Sequence, residues 1–218
     1  MVGRSPIHGV PGMLCVAALA AAAAVALEGC EDEKKKYLAE AAGFVTQMDQ
    51  AAAEMEAIAA LAQDVTKVQE AELRLGALDE RLRKINTGFT SLMAPDDFSY
   101  FHANLVKAIA SEATGISALR GCFDRTVNAS LLKARIDELG RREADLSGEL
   151  KDAAPGAPGL EKRKLEHQRA RDELDKLVKQ QVTINNEMGG QMKYYQDNHR
   201  FFKGHLRVYR EAVIKGRP

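Results

Sequence analysis

Residues 153–159, Ala153-Ala154-Pro155-Gly156-Ala157-Pro158-Gly159, decide how the chain is divided. Two prolines and two glycines in so short a stretch stop any helix, and on both sides of it the apolar residues recur at helical spacing. Beyond residue 30 the other prolines, Pro95 and Pro218, also lie outside periodic segments and act as punctuation. The intervals they leave are 31–86, 95–152 and 159–215, which come to 56, 58 and 57 residues. Three nearly equal helix-periodic intervals predict an all-α fold, an elongated antiparallel three-helix bundle or coiled coil with one helix in each.

The rows of apolar residues support each helix. In the first interval Leu38, Val45, Ala52 and Ala59 step by seven, and further on Leu61, Val68, Leu75, Leu82 and Phe89 take over. Such a change of row reads as the slow drift of a 3.6-residue helix against a seven-residue repeat. The second interval holds Ile109, Ile116 and Phe123 in one row and Leu132, Leu139 and Leu146 in another. In the third, Met188, Tyr195, Phe202 and Tyr209 line up, a stripe that reads as core and not as a cofactor box. Asn86-Thr87-Gly88 is the expected stop of the first helix, and Pro95-Asp96-Asp97 supplies a proline and acids for the first turn of the second.

Short breaks between long helices make neighbours antiparallel, so the expected order is up, down, up, each helix about 85 Å long. That order puts the C-terminal end far from residue 31. It also brings small residues together at mid-height: Ala57 to Ala62, Gly115 with Gly121, and Gly189-Gly190. They read as a tight waist, a break that yields shorter helices, or a bend.

Ahead of this body, Met13 to Leu27 form an apolar run of fifteen residues, which fits a secretory signal and is short for a membrane span of about 20. Leu27-Glu28-Gly29-Cys30 then resembles the lipobox of bacterial lipoproteins, a likeness confined to the first 30 residues, with Glu28 standing where a small neutral residue is usual. The resemblance implies a signal peptide over 1–29, cleavage before Cys30 and acylation of Cys30, so that the single helical-bundle domain expected over 30–218 would be tethered to a membrane of the bacterial cell envelope. Multiple acyl chains would hold such a protein on the bilayer stably. An uncleaved anchor and ordinary secretion are the alternatives.

The chemistry of most enzyme classes is missing from the sequence. Beyond Cys30 only Cys122 remains, so neither a disulfide framework nor a cysteine metal site is available. The residues three before His102, His167, His199 and His205 are Ser99, Lys164, Gln196 and Phe202, which excludes the Glu-x-x-His pairs of a di-iron bundle. No Gly-Lys dipeptide is present for a phosphate loop, and no His-Glu-x-x-His for zinc. No catalytic residue, metal or cofactor is expected.

One polar pattern stands out. The chain carries 31 cations and 31 anions, but residues 153–218 hold 14 cations against 8 anions. Lys193, Arg200 and Arg207 step by seven, as do Lys203, Arg210 and Arg217, and all six fall within an arc of roughly 120° on the third helix. The row Tyr194, Phe201 and Val208 borders the aromatic seam on its other side. Such a stripe either pairs with acidic neighbours in the bundle or meets an anionic partner: phospholipid head groups, a cell-wall polymer or an acidic protein. Nucleic acid is not expected for an exported chain. The leading expectation is a non-enzymatic, lipid-anchored structural or adaptor bundle. A second is a membrane-shaping module, since three long antiparallel helices with a basic stripe look like the BAR-domain architecture in form, and this reading requires a homodimer. A cofactor-carrying bundle or enzyme is the third.

Overall fold

In the computed structural model the backbone is described for residues 12–217 and the side chains for residues 31–217. Among these residues the fold is all-α, with four helices: α1 (Gly12–Ala59), α2 (Val68–Thr90), α3 (Asp96–Asp152) and α4 (Leu160–Lys215). The second and third expected helices have the expected bounds. The first does not, because the interval 31–86 folds as two helices.

Residues 60–67 make the difference. Asp64 Oδ1 accepts hydrogen bonds from the Thr66 amide at 3.0 Å and the Thr66 hydroxyl at 2.6 Å, a local turn that competes with helical pairing. The amides of Leu61, Ala62 and Asp64 reach back only three residues, to the carbonyls of Ile58, Ala59 and Leu61, which tightens the chain out of the α-helix. It then doubles back. Arg81 meets Glu54 at 2.6 Å and the rings of Phe44 and Phe89 lie 5.9 Å apart, so α1 and α2 form an antiparallel hairpin. The change of row at Leu61, expected as drift, marks this new helix. Nor does Asn86-Thr87-Gly88 stop it, since α2 runs to Thr90. Gly88 serves packing instead: a Cβ there would lie 2.8 Å from Phe44 Cζ.

This extra turn reverses the direction of everything downstream. α3 starts beside residues 34–37 of α1, with Lys34 on Asp97 and Tyr37 packed on Phe98, and runs up alongside it. α4 then descends, and its Tyr209 hydroxyl meets that of Tyr37. The order is up, down, up, down, and the basic C-terminal end lies beside residues 31–38 and not far from them; Gly216 sits against Leu38. The expected meeting of small residues survives, because the middle of a long helix stays at the same height when its direction is reversed. At that level Thr126 Oγ1 donates to the Ala62 carbonyl at 2.6 Å and lies 3.4 Å from Met188 Sδ. Only α1 breaks there. Helix α4 continues through Gly189-Gly190, where a Cβ would meet nothing within 4 Å.

Two regions result. Below the Ala62 level, α1, α2, the first half of α3 and the last half of α4 enclose one core that includes Met48, Met55, Leu75, Phe89, Phe123 and Phe202. Above it α3 and α4 continue alone as a two-helix arm, residues 127–187, reaching about 40 Å further. Its turn is the Pro/Gly stretch, with Gly156 and Gly159 at φ 83° and 80°, a backbone that favours glycine.

Candidate functional site

The predicted stripe lies along the seam between α1 and α4, because residues 200–210 of α4 descend beside residues 49–63 of α1. Here the structure opens a groove. Its upper part, about 800 Å³, is lined by Ala59, Ala60, Gln63, Gln196, His199 and Arg200 among others. The lower part, about 470 Å³, has Ala52, Ala53, Gly204, Arg207 and Arg210 in its walls, and both parts share Glu56, Arg200 and Lys203. Small residues of α1 and Gly204 of α4 line the groove together with Tyr195 and Leu206, and four cations and two carboxylates, Glu56 and Asp49, border it.

The six stripe residues do not share one environment. Lys203 pairs with Glu56, and Arg210 with Asp49 at 3.1 Å, both carboxylates belonging to α1. Arg200 is 81% exposed and reaches only Asp197 of its own helix, at 3.7 Å. Lys193, Arg207 and Arg217 are exposed and have no ion pair among the described residues. The structure therefore brings Arg200, Lys203, Arg207 and Arg210 together at the groove; Lys193 and Arg217 do not line it. The neighbouring row Tyr194, Phe201 and Val208 is left about half exposed on the outer side of α4.

Behind the upper groove lies a charged cluster spanning three helices. Glu112 of α3 is fully buried and its Oε1 stands 2.7 Å from His199 Nδ1, while His199 Nε2 faces Glu56 Oε1 at 3.4 Å. Both ring nitrogens thus face carboxylates, and a protonated imidazolium can donate to each. Burial pulls the His199 pKa down, but the hydrogen bonds and charges of Glu112 and Glu56 outweigh it and the net shift is upward. The hydrogen bond from Lys203 is the main reason that Glu56 stays below the usual carboxylate range. Tyr195 stacks on His199, and burial together with the charge of Glu112 pushes its phenol up. Glu112 Oε2 is buried without a hydrogen-bond partner.

A second polar chain lies lower in the core, where Tyr37 links His102 Nδ1, at 3.1 Å, to Tyr209. Burial lowers the pKa of His102, which stacks on Phe89. The Cys122 thiol donates to the Met188 carbonyl, and burial raises its pKa, the reverse of what a reactive thiol needs. Among residues 31–217 no grouping of three or more His, Cys, Asp or Glu side chains is suited to a metal ion, and no helical stretch there is long and apolar enough to cross a membrane. The Cys30 side chain and the expected signal peptide lie outside the described side chains.

Sequence spacing identified the cations but not their partners. Glu56 and Asp49 carry no pattern that sets them apart from the other acids of α1, and Glu112 sits in a helix whose buried face was legible only from its apolar rows. Their assignment needs the fold-back that lays α4 antiparallel to α1. Compared with known proteins, the chain matches no family model, no curated protein and no solved structure.

Proposed function

We propose that the chain is a non-enzymatic, lipid-anchored helical bundle of the bacterial cell envelope that works as an adaptor. The observation that carries this reading is the polarity of the molecule. Residues 31–38 of α1, which directly follow Cys30, and the C-terminal turn of α4 share one end, while the turn of the arm lies at the other. A part fixed at its base and reaching upward by a two-helix arm suits an adaptor between a membrane surface and something beyond it. Membrane shaping in the manner of a BAR domain draws less support, because that form calls for three long antiparallel helices and α1 with α2 makes a shorter hairpin instead.

Acylation is tested by expressing the full chain and its Cys30→Ala variant in a bacterium with a clickable palmitate analogue, then separating membrane from soluble fractions. The expected result is label and membrane association in the parent and neither in the variant. Membrane association without label would replace acylation by an uncleaved anchor, and an unlabelled soluble exported chain would remove the anchor altogether.

A further inference from the structure

We infer that the α1–α4 groove is a docking site for an acidic helical segment of a partner protein. The inference rests on the adaptor reading only for where that partner is met; the groove's chemistry stands without the anchor.

Three observations point to this occupant. First, the seam is concave. Ala52, Ala53, Ala59 and Ala60 of α1 and Gly204 of α4 line it, and a Cβ built on Gly204 would meet nothing within 4 Å. Small residues on both walls let a third helix approach closely, whereas a flat sheet of lipid head groups would touch only the rim. Second, Arg200, Lys203, Arg207 and Arg210 follow one another every three or four residues, about 5 Å apart along α4. A helix lying in the groove with acids at the same interval would meet one cation per turn. Third, the rim is not neutralised from within. Four cations border the groove against the two carboxylates Glu56 and Asp49, and these are already engaged by Lys203 and Arg210. Arg200 and Arg207 therefore remain to receive acids from outside, with the planar geometry that suits carboxylates.

This division makes the site's energetics specific. A docked carboxylate gains most from Arg200 and Arg207, which surrender no strong internal partner. At Lys203 and Arg210 it must compete with α1. Behind the seam, buried Glu112 of α3 is tied through His199 to Glu56 and so positions the two walls, while His199 and Glu56 themselves line the groove.

The test uses the purified full chain in detergent and a fluorescent, alanine-rich helical peptide with glutamate at every third or fourth position. Its glutamine counterpart and vesicles of phosphatidylglycerol or phosphatidylcholine are the comparison probes. Binding to the glutamate peptide is expected, several-fold weaker at high salt and absent for the glutamine peptide. Arg200→Gln with Arg207→Gln should weaken it by about tenfold or more, and Lys203→Gln with Arg210→Gln by clearly less. Gly204→Trp should block binding by filling the groove, and Gly204→Ala should leave it intact; an added Cβ there meets nothing within 4 Å, and circular dichroism checks that the Trp variant keeps its fold. Binding unaffected by Gly204→Trp, or binding to anionic vesicles and not to the peptide, would overturn the proposal, the latter in favour of a membrane surface. Since Cys30→Ala is expected to leave peptide binding unchanged, failure of the anchor and failure of the groove are read separately.

Discussion

The lower bundle and the upper arm share two helices, α3 and α4, yet these are held by different means in the two regions. In the bundle, α3 and α4 are flanked by the α1–α2 hairpin, and side chains such as Leu105, Ile116, Leu119, Phe202 and Leu206 are almost wholly buried. In the arm only Leu139 and Ala170 of the apolar residues are buried, while Leu131, Leu165, Val178 and Val182 remain 44% to 66% exposed. Two helices alone can shield one narrow seam; four can shield a core. Polar residues reach even that seam, where His167 lies 2.9 Å from Glu143. The lesson is that helical periodicity secures helix formation in both regions, but the number of neighbours decides how much each apolar residue contributes.

The sharpest way to break this comparison is the same substitution in both regions. Leu75→Ala, at a fully buried bundle site, should cost about 3 kcal/mol, whereas Leu146→Ala, at a half-buried arm site, should cost about 1 kcal/mol. Urea titration followed by circular dichroism measures both, and equal losses would mean that the arm is covered in solution. Hydrogen exchange adds the same contrast without mutation: arm amides are expected to exchange by local opening well before those of the bundle.

A smaller effect separates the charged clusters. His199→Gln should cost about 2 kcal/mol, because buried Glu112 would lose its hydrogen-bonded imidazole partner. The pH dependence has a definite sign. With a folded pKa above the unfolded value of about 6.5, His199 stabilises fully below that pH, and its contribution is lost as pH rises through the higher folded value. His102, lowered by burial, does the reverse: its contribution is present above about pH 6.5 and is lost as pH falls through the lower folded value. Melting temperature against pH should therefore lose its alkaline slope in His199→Gln and part of its acid slope in His102→Gln. An unchanged alkaline limb in the first variant would show that the cluster does not titrate as described.

The smallest predicted effect concerns the turn that creates the bundle. Asp64→Ala removes two hydrogen bonds at an exposed site and should cost about 1 kcal/mol, shifting the urea midpoint while leaving helix content unchanged. A gain in helix content would mean that this aspartate alone keeps α1 and α2 from joining.

By itself the sequence determined that the chain is helical, where the second and third long helices begin and end, and which residues form their apolar rows. Proline, glycine and apolar spacing act locally, so they are readable without a fold. It also placed the six cations on one side of a helix, since 100° per residue is a property of the helix alone. What only the tertiary structure decided is the turn at 60–67, and with it the direction of α3 and α4. Asp64-Val65-Thr66 contains no proline or glycine, and the apolar rows on either side of it fit one drifting helix as well as two facing ones. The choice between them falls to long-range packing: folding back gives Leu75, Leu78, Leu82, Ile85 and Phe89 four-helix surroundings that a two-helix neighbourhood higher up would not supply. The groove follows from that choice, because α4 lies against Asp49 and Glu56 only once its direction has been reversed.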